Sequence, residues 1–453
     1  HVADGAVGGP NQRFGSDPVA EVHVTAASSR PFREPGIEFP GIAGLPVWDG
    51  NPEVFELDPD KLGLPNRTIA AGSSFSASGA LGFEFGGYEL WPTALEVSGN
   101  PLPQAVRPAA LLEITVGSLN LFRLFDDVDD PPGTNAFGEP TNDTVVSSAE
   151  YRRRLDKFAG YIVGSMKSPD ILALQEVEKL GVLEDLAAAI DRLDKLAMYE
   201  AYLEEGNDIG GIDVGFLVKK HVKVEGVRQF GLDETYVEPG GDLDLLHDRP
   251  PLVLETRLRG KLDFRSLYVM AVHNRSLGGI DDAGSNGERV RAKRLAQAQS
   301  IAAELQRLQT DEPQAGIVVV GDFNAFEFSD GLVDAVGQIR GDVTPDDNLL
   351  SGDDLVNPDF MDQVLSLPQD QRYSFVFNGS AQVLDHALTN VVLDLRVRGL
   401  QYARGNADAA EDLIFDDTTV LRASDHDGLV LYIEQDINDI EGRPGTPPAA
   451  TMP

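Results

Sequence analysis

The chain has 453 residues, 42% of them hydrophobic, enough for a sizeable core and for two or three domains. It has no cysteine, which excludes disulfides, thiolate metal sites and cysteine nucleophiles, so any metal must be held by oxygen or imidazole. The 74 acidic side chains against 37 basic ones give a formal charge of −37 and a pI near 4.4, a surface that repels nucleic acid and anionic membranes at long range. Such a surface keeps a protein soluble and suits a saline environment, acidic loops that load calcium being the other reading. No apolar run approaches about 18 residues, so no membrane span is expected. The chain begins at His1 with neither initiator Met nor signal-peptide pattern, which suggests a processed or trimmed chain.

Residues 1–108 are rich in Gly and Pro and lack a helical period; they read as a small β-rich, OB-like domain, a barrel or a sandwich. Phe75, Phe83, Phe85, Tyr88 and Trp91 have the composition of a base-stacking platform, although aromatics in such a domain more often form its core. Pro101, Pro103 and Pro108 punctuate a linker. A second domain is expected over 109–435. LLEITVGSLN reads as a strand that ends at Asn120, followed by an acidic loop in which Asp126, Asp127, Asp129 and Asp130 offer oxygens to a Ca²⁺ ion or are simply solvated. Ser147 and Glu150 fit a capping box ahead of a helix carrying Tyr151, Leu155, Phe158, Ile162 and Met166 on one face and an exposed Arg152–Arg154 cluster on the other.

DILALQEVE is a buried strand that delivers Gln175 and Glu176, and Leu183, Leu186, Ile190 and Leu193 mark the next helix. Further strands are expected at Asp213–Lys219, Leu252–Arg257 and Phe264–Val272, the last running into His273. A basic helix over about Gly287–Leu308 carries the second basic cluster, Arg289–Arg294, which also reads as a solvated helix face. It leads to GIVVVGDFNAFEF, where four β-branched residues break into Gly-Asp-Phe-Asn. Asp322 and Asn324 are two apart, so in extended backbone they leave one face, an anionic ligand beside a neutral amide. A lone Asp-x-Asn is equally well explained by an Asx turn. Strands Tyr373–Phe377 and Val383–Leu388 surround Asp385, and Asp425 and His426 precede the strand Gly428–Ile433. Residues 436–453 read as a linker or disordered tail.

One polar residue at a strand end is usually just a satisfied side chain. Here Asn120, Glu176, His273, Asp322 with Asn324, Asp385, and Asp425 with His426 place groups fit for phosphoryl chemistry at or next to the ends of six strands. In order, GSLNLF, LALQEVE, AVHNRS, VVVGDFNAF, VLDHAL and ASDHDGLVL resemble the motif set of the endonuclease/exonuclease/phosphatase superfamily over about residues 110–435. The β-rich N-terminal part, the FDDVDD loop and YSFVF…LDHAL most resemble the superfamily's secreted bacterial nucleases. One departure stands out: such nucleases commonly follow SDHD with Pro, and here Gly428 takes that place.

The resemblance implies an α/β (α+β) fold of two packed mixed sheets flanked by helices, a deoxyribonuclease-like fold, preceded by a small β-barrel-like domain. It implies Glu176 as principal metal ligand, helped by Asn120 and Asp425, with Asp322 and Asn324 holding water or metal and the phosphate oxygens. His426 is then the catalytic histidine oriented by Asp385, and His273 contacts the phosphate or protonates the leaving oxygen. Arg249 lies against the phosphate; Glu204 and Glu205 are the candidates for a carboxylate partner of His273. Oxygen-rich ligands of this kind favour Mg²⁺ or Mn²⁺. The expected activity is metal-dependent phosphodiester hydrolysis by an extracellular nuclease acting on DNA, without an obligate protein partner. The alternatives are a small-molecule or lipid phosphodiesterase or phosphatase, and a binding protein on an inactive scaffold.

Overall fold

The computed structural model describes residues 2–258 and 265–435; the expected tail at 436–453 and the start of the expected strand at Phe264 lie outside them. Two six-stranded sheets form the larger part. The first has the strand order 199–203, 213–219, 171–177, 113–124, 428–434, 397–403; the second runs 224–229, 252–258, 265–273, 316–322, 385–389, 361–362. Each sheet contains one parallel pair, Ile171–Val177 beside Glu113–Leu124 and Arg265–His273 beside Gly316–Asp322, and is otherwise antiparallel.

Both faces of each sheet are covered, which is why the central strands read as unbroken apolar runs. Val116, Ile171, Phe216, Leu254, Val269, Val318, Val320 and Leu431 meet between the sheets. Phe158, Ile162, Leu183 and Leu186, on helices Ser148–Gly164 and Leu180–Leu193, cover the outer face of the first sheet. Ile301 and Leu305, on helix Ser285–Asp311, cover that of the second. Complete burial of side chains this size contributes about 1.5–3 kcal/mol each, so the four layers are held chiefly by these stripes. Ser147 caps its helix as the sequence predicts, accepting the Glu150 N–H at 3.2 Å.

The N-terminal part is a closed barrel of strands Val2–Val7, Val22–Thr25, Val54–Leu57, Gly87–Ser98 and Ser74–Glu84. Val7, Val22, Val24, Leu57 and Phe75 fill it. Of the aromatics expected in its core only Phe75 is there. Phe83, Phe85 and Tyr88 lie about the tip of the long hairpin, where the turn Phe85–Gly86 lifts them off the barrel wall, and all three are exposed. The barrel is pinned to the sandwich by buried polar bonds. Arg30 donates to Asp408 (2.6 Å), Asn51 to the Ser380 hydroxyl (2.7 Å), the Arg33 N–H to the Ala381 carbonyl (2.9 Å), and the Ala381 N–H to the Pro31 carbonyl (3.0 Å). The proline-punctuated stretch is tied down as well: Gln104 and Arg404 exchange both backbone bonds at 2.9 Å.

Both expected basic faces are corrected. Arg154 is buried, and its guanidinium donates to the carbonyls of Leu121, Phe122 and Arg123, holding the strand end that follows Asn120. Arg291, Lys293 and Arg294 are buried too. Lys293 reaches Asp248 at 2.9 Å, and Arg294 caps the carbonyls of Arg275 and Asn324. These cations satisfy loop carbonyls and carboxylates that burial would otherwise strand. Arg154→Ala is therefore expected to cost about 2–4 kcal/mol, because it leaves buried carbonyls unpaired. Arg152→Ala, on the exposed face, should cost less than about 0.5 kcal/mol. Denaturant midpoints of the two variants check the difference.

Candidate active site

The sheet registers bring the candidate residues together. Across three adjacent strands, His273 pairs with Asp322 and Asp322 with Asp385, one row at a single edge of the second sheet. Asp385 begins its antiparallel strand, and Asp425 and His426 precede theirs, so residues at strand starts and residues at strand ends meet at the same edge. In the first sheet Asn120 pairs with Gln175, and a bulge between Gln175 and Val177 pushes out Glu176. The backbone at this edge is strained: Phe122, Arg123, Glu176 and Asn324 all have positive φ (46°, 58°, 59° and 49°), which costs a residue with a Cβ about 1–3 kcal/mol and persists only where the surroundings enforce it.

The two sheets meet through Asn120. Its amide donates to Glu176 Oε1 at 3.0 Å and to Asp322 Oδ2 at 3.1 Å, while its own oxygen accepts the Phe122 N–H. In this rotamer Asn120 organises two carboxylates and turns its amide nitrogen toward them; the oxygen faces backbone. His273 Nε2 lies 3.7 Å from the same two carboxylate oxygens. Burial, with the charges of Arg249 and His426 beside it, holds His273 well below the ordinary histidine range. The ring is therefore neutral, and these contacts are neither ion pairs nor, at that length, hydrogen bonds. Its Nδ1 is buried without a partner, and neither Glu204 nor Glu205 reaches it. Glu205 lies instead against Asp213, whose carboxyl is raised by burial and by Glu205 itself.

His426 is held differently. Its Nδ1–H donates to Asp385 Oδ2 at 2.7 Å, which turns Nε2 toward Asp322 and Asp425, 4.0 Å from each. Burial opposes a charge on this ring, but Asp385, Asp425 and Asp322 together outweigh it and keep His426 well above its ordinary pKa. Asp322 is pushed up to about 7: burial and the neighbouring Asp385 and Glu176 carboxylates raise it, against His426 and the Asn324 N–H. The edge therefore holds one charged and one neutral imidazole beside a carboxyl that titrates near neutrality.

Supporting residues that the sequence reading passed over fix these groups. The Ser374 hydroxyl accepts the N–H groups of Leu384 and Asp385, and the Phe375 ring lies 4.8 Å from that of His426. The Asn274 carbonyl accepts from Asn324 Nδ2 (3.2 Å) and from Arg249 (3.1 Å). Arg249 also pairs with Asp208 at 2.8 Å, so its guanidinium is spent on a carboxylate and the strand end around His273. Ser424 donates to the Asn120 carbonyl at 2.7 Å, and Asp427 accepts three backbone N–H groups, from Gly405, Asn406 and Ala407. Only position gave any hint of these: Asn274, Ser424 and Asp427 are chain neighbours of the motif residues. The departure at Gly428 has a cause here. Its N–H donates to the Tyr161 hydroxyl at 3.0 Å, which a proline could not do, and a Cβ would lie 2.7 Å from Met166.

The donor set suits a hard divalent cation. The Asp322 and Asp385 carboxylates offer ligand atoms within 4.8 Å of each other beside the charged His426, Glu176 and Asp322 converge on one amide, and Asp385 Oδ1 is buried without a partner. Carboxylates crowded enough to hold a proton near pH 7 gain by exchanging it for a cation. In the loop at Asp126–Asp130 the Lys179 ammonium lies against Asp126 (2.8 Å), Glu178 (3.1 Å) and Asp130, Asp126 is buried instead of solvated, and Asp130, Asp143 and Glu178 offer ligand atoms within 4.8 Å of one another, a second group that could hold a cation.

Two mixed sheets packed face to face, with carboxylates and imidazoles converging at one edge, define the phosphoesterase class of fold. The chain belongs to the Endonuclease/Exonuclease/phosphatase family, which it matches over residues 115–414. Its fold is similar to that of truncated Caenorhabditis elegans TDP2 (16% identity, 71% of this chain and 98% of that one, TM-score 0.42). It is also similar to an endonuclease/exonuclease/phosphatase from Bacteroides vulgatus (12% identity, 72% and 99%, TM-score 0.40) and to D. rerio TDP2 complexed with single strand DNA product (15% identity, 71% and 98%, TM-score 0.40). No curated protein sequence matches the chain.

Proposed function

We propose that the protein is a metal-dependent phosphodiester hydrolase and that its substrate is DNA outside the cell. The observation that carries this reading is the convergence of Glu176, Asp322, His273 and the His426–Asp385 pair on one edge, bridged by Asn120. A phosphodiester is anionic, and its hydrolysis needs neutralised equatorial charge, an activated water and a stabilised leaving oxygen. Glu176, Asp322 and Asp425 would hold Mg²⁺ or Mn²⁺, which when bound supplies charge neutralisation and lowers the pKa of water. The residues supply the rest. Asp385 fixes the tautomer and charge of His426, which faces the reacting phosphate as a proton donor or charge stabiliser. Neutral His273 offers an N–H to a phosphate oxygen, and Asn324, locked by the Asn274 carbonyl and Arg294, keeps its amide at the same edge.

The net charge favours a second reading, a small-molecule or lipid phosphodiesterase, since a chain of −37 repels a polyanion at long range. Salt separates the two. A nuclease that binds through surface cations loses affinity steeply as salt rises. With Arg154, Arg291, Lys293 and Arg294 buried, little of that term is left here. Cleavage of duplex DNA is expected to persist or rise as NaCl increases, because screening weakens repulsion beyond about 10 Å and leaves the contact-range site intact. Plasmid nicking across an NaCl series, with a p-nitrophenyl diester and phospholipids in parallel, checks this. A steep fall with salt would contradict it, and cleavage of the small diester without any of DNA would favour the second reading.

A further inference from the structure

The His426–Asp385 pair is spaced by a residue that lies in neither of the strands next to it. The Ser374 hydroxyl accepts the Asp385 N–H at 3.1 Å, and the Ser374 carbonyl accepts the Asp427 N–H at 2.8 Å, so one residue is tied to the backbone on both sides of the pair. The next residue, Phe375, lays its ring 4.8 Å from that of His426. It also opens the hairpin of Phe375–Phe377 with Ser380–Gln382, which runs back toward Asp385. Residues 373–382 therefore form one connection that touches both members of the pair.

The barrel part holds this connection at its start, its turn and its return. Arg30 lies over the Tyr373 ring at 4.7 Å and shares the buried Asp408 carboxylate with the Tyr373 hydroxyl, at 2.6 and 2.8 Å. At the turn, Gly379 packs so closely on the barrel that a Cβ there would lie 2.6 Å from His23 Cβ. Asn51, at φ 53°, donates from one amide nitrogen to the Ser380 hydroxyl (2.7 Å) and to the Phe32 carbonyl (2.9 Å). On the return, Phe32 lies parallel to Ala381, which exchanges backbone bonds with Pro31 and Arg33 on either side. Residues 31–33 thus add a third strand to a two-stranded hairpin that is marginal by itself. Tyr373, Ser374, Ser380, Ala381 and Asp408 are all buried, and contacts packed this tightly transmit a displacement with little slack.

We propose that the barrel part is built into the catalytic site, with Arg30 and Asn51 as positioning residues that fix residues 373–382 and, through them, the placement of His426 against Asp385. The inference rests on the hydrolase reading and deepens it. Both residues lie outside the family match at 115–414, so the chain would set the geometry of its catalytic pair with a part that the match does not include. The demand on that geometry is steep, since a misplacement of about 1 Å caused from a distance can cost about 10²-fold in rate.

The test compares full-length Arg30→Gln and Asn51→Gly with wild type on bis(p-nitrophenyl) phosphate and Mg²⁺. Each is expected to lower kcat about 10–10²-fold with KM unchanged, because the pair is misplaced while the groups that meet the ester remain. Glycine adopts the positive φ of Asn51, so that variant carries the test if loss of the Arg30 charge beside buried Asp408 unfolds the chain. The decisive readout is the Asp385→Asn background. There neither variant should lower kcat further, since the pair is already uncoupled, whereas a loss of folded protein would lower it by the same factor in both backgrounds. Unchanged kcat, a rise in KM alone, or equal losses with and without Asp385→Asn would overturn the proposal. If wild-type protein turns over no phosphoester, the hydrolase reading fails by itself. The downfield proton resonance of His426 Nδ1–H, assigned by its loss in Asp385→Asn, then decides the positioning alone: its loss or displacement in the barrel variants supports it, and an unchanged resonance overturns it.

Discussion

Replacing Glu176 by Ala is expected to reduce phosphoester hydrolysis by on the order of 10³-fold, the loss typical of removing a group that holds charge at the reacting centre. The fold should survive. Glu176 makes one side-chain hydrogen bond, from Asn120, and Ala keeps the Cβ, so the left-handed backbone at φ 59° is no more strained than before. Stability should even rise slightly in the absence of metal, because Glu176 is one of the carboxylates that push Asp322 up to about 7. Melting curves and Mg²⁺ titrations of the rate separate the outcomes. Near-normal turnover at standard Mg²⁺ with an unchanged melting profile would remove Glu176 from the site.

The second large effect belongs to the His426–Asp385 pair. His426→Ala and Asp385→Asn should each lower turnover by about 10²–10⁴-fold, since the first removes the proton-bearing group and the second its orientation and the carboxylate that keeps it charged. The two are joined by a 2.7 Å bond, and no other group accepts from His426 Nδ1. They act as one unit, so the double variant should fall no further than the more severe single one, and a loss equal to the product of both would show that they act independently. Asp385→Asn leaves the backbone bonds from Leu384 and Asp385 to Ser374 in place, so its effect reads out orientation and charge with the strand intact.

Much of this site was legible in the sequence because strand ends are abrupt. Apolar runs such as Ile317–Val320 stop at a polar residue, and a sheet buried on both faces gathers its charged side chains at its edges. What could not be read was direction. Asp385 and His426 reach the edge from the starts of antiparallel strands, and only pairing shows that these starts meet the ends that carry Glu176 and His273. The misread cations have a single cause. Arg154, Arg291 and Arg294 recur at positions that look solvated by period, but each answers a backbone carbonyl outside its own helix, at a strand end for Arg154 and in loops for the other two, a demand no helical period reports. The same holds for Lys179, which follows the QEVE motif directly and whose ammonium pairs with Asp126 and Glu178 beside the acidic loop. In the barrel, the alternation that places Phe75 inside fails at the hairpin tip, where Phe83, Phe85 and Tyr88 have no second layer to cover them.

The central claim, hydrolysis of a phosphodiester by a site that needs a divalent cation, is tested most directly by one titration. Protein stripped with a chelator is assayed on a deoxyoligonucleotide and on bis(p-nitrophenyl) phosphate while Mg²⁺ or Mn²⁺ is added back. The structure predicts no turnover in the stripped protein and saturable recovery on adding the ion, with recovery lost in Glu176→Ala. Full activity in the stripped protein, or no turnover of either ester at any metal concentration, would contradict it.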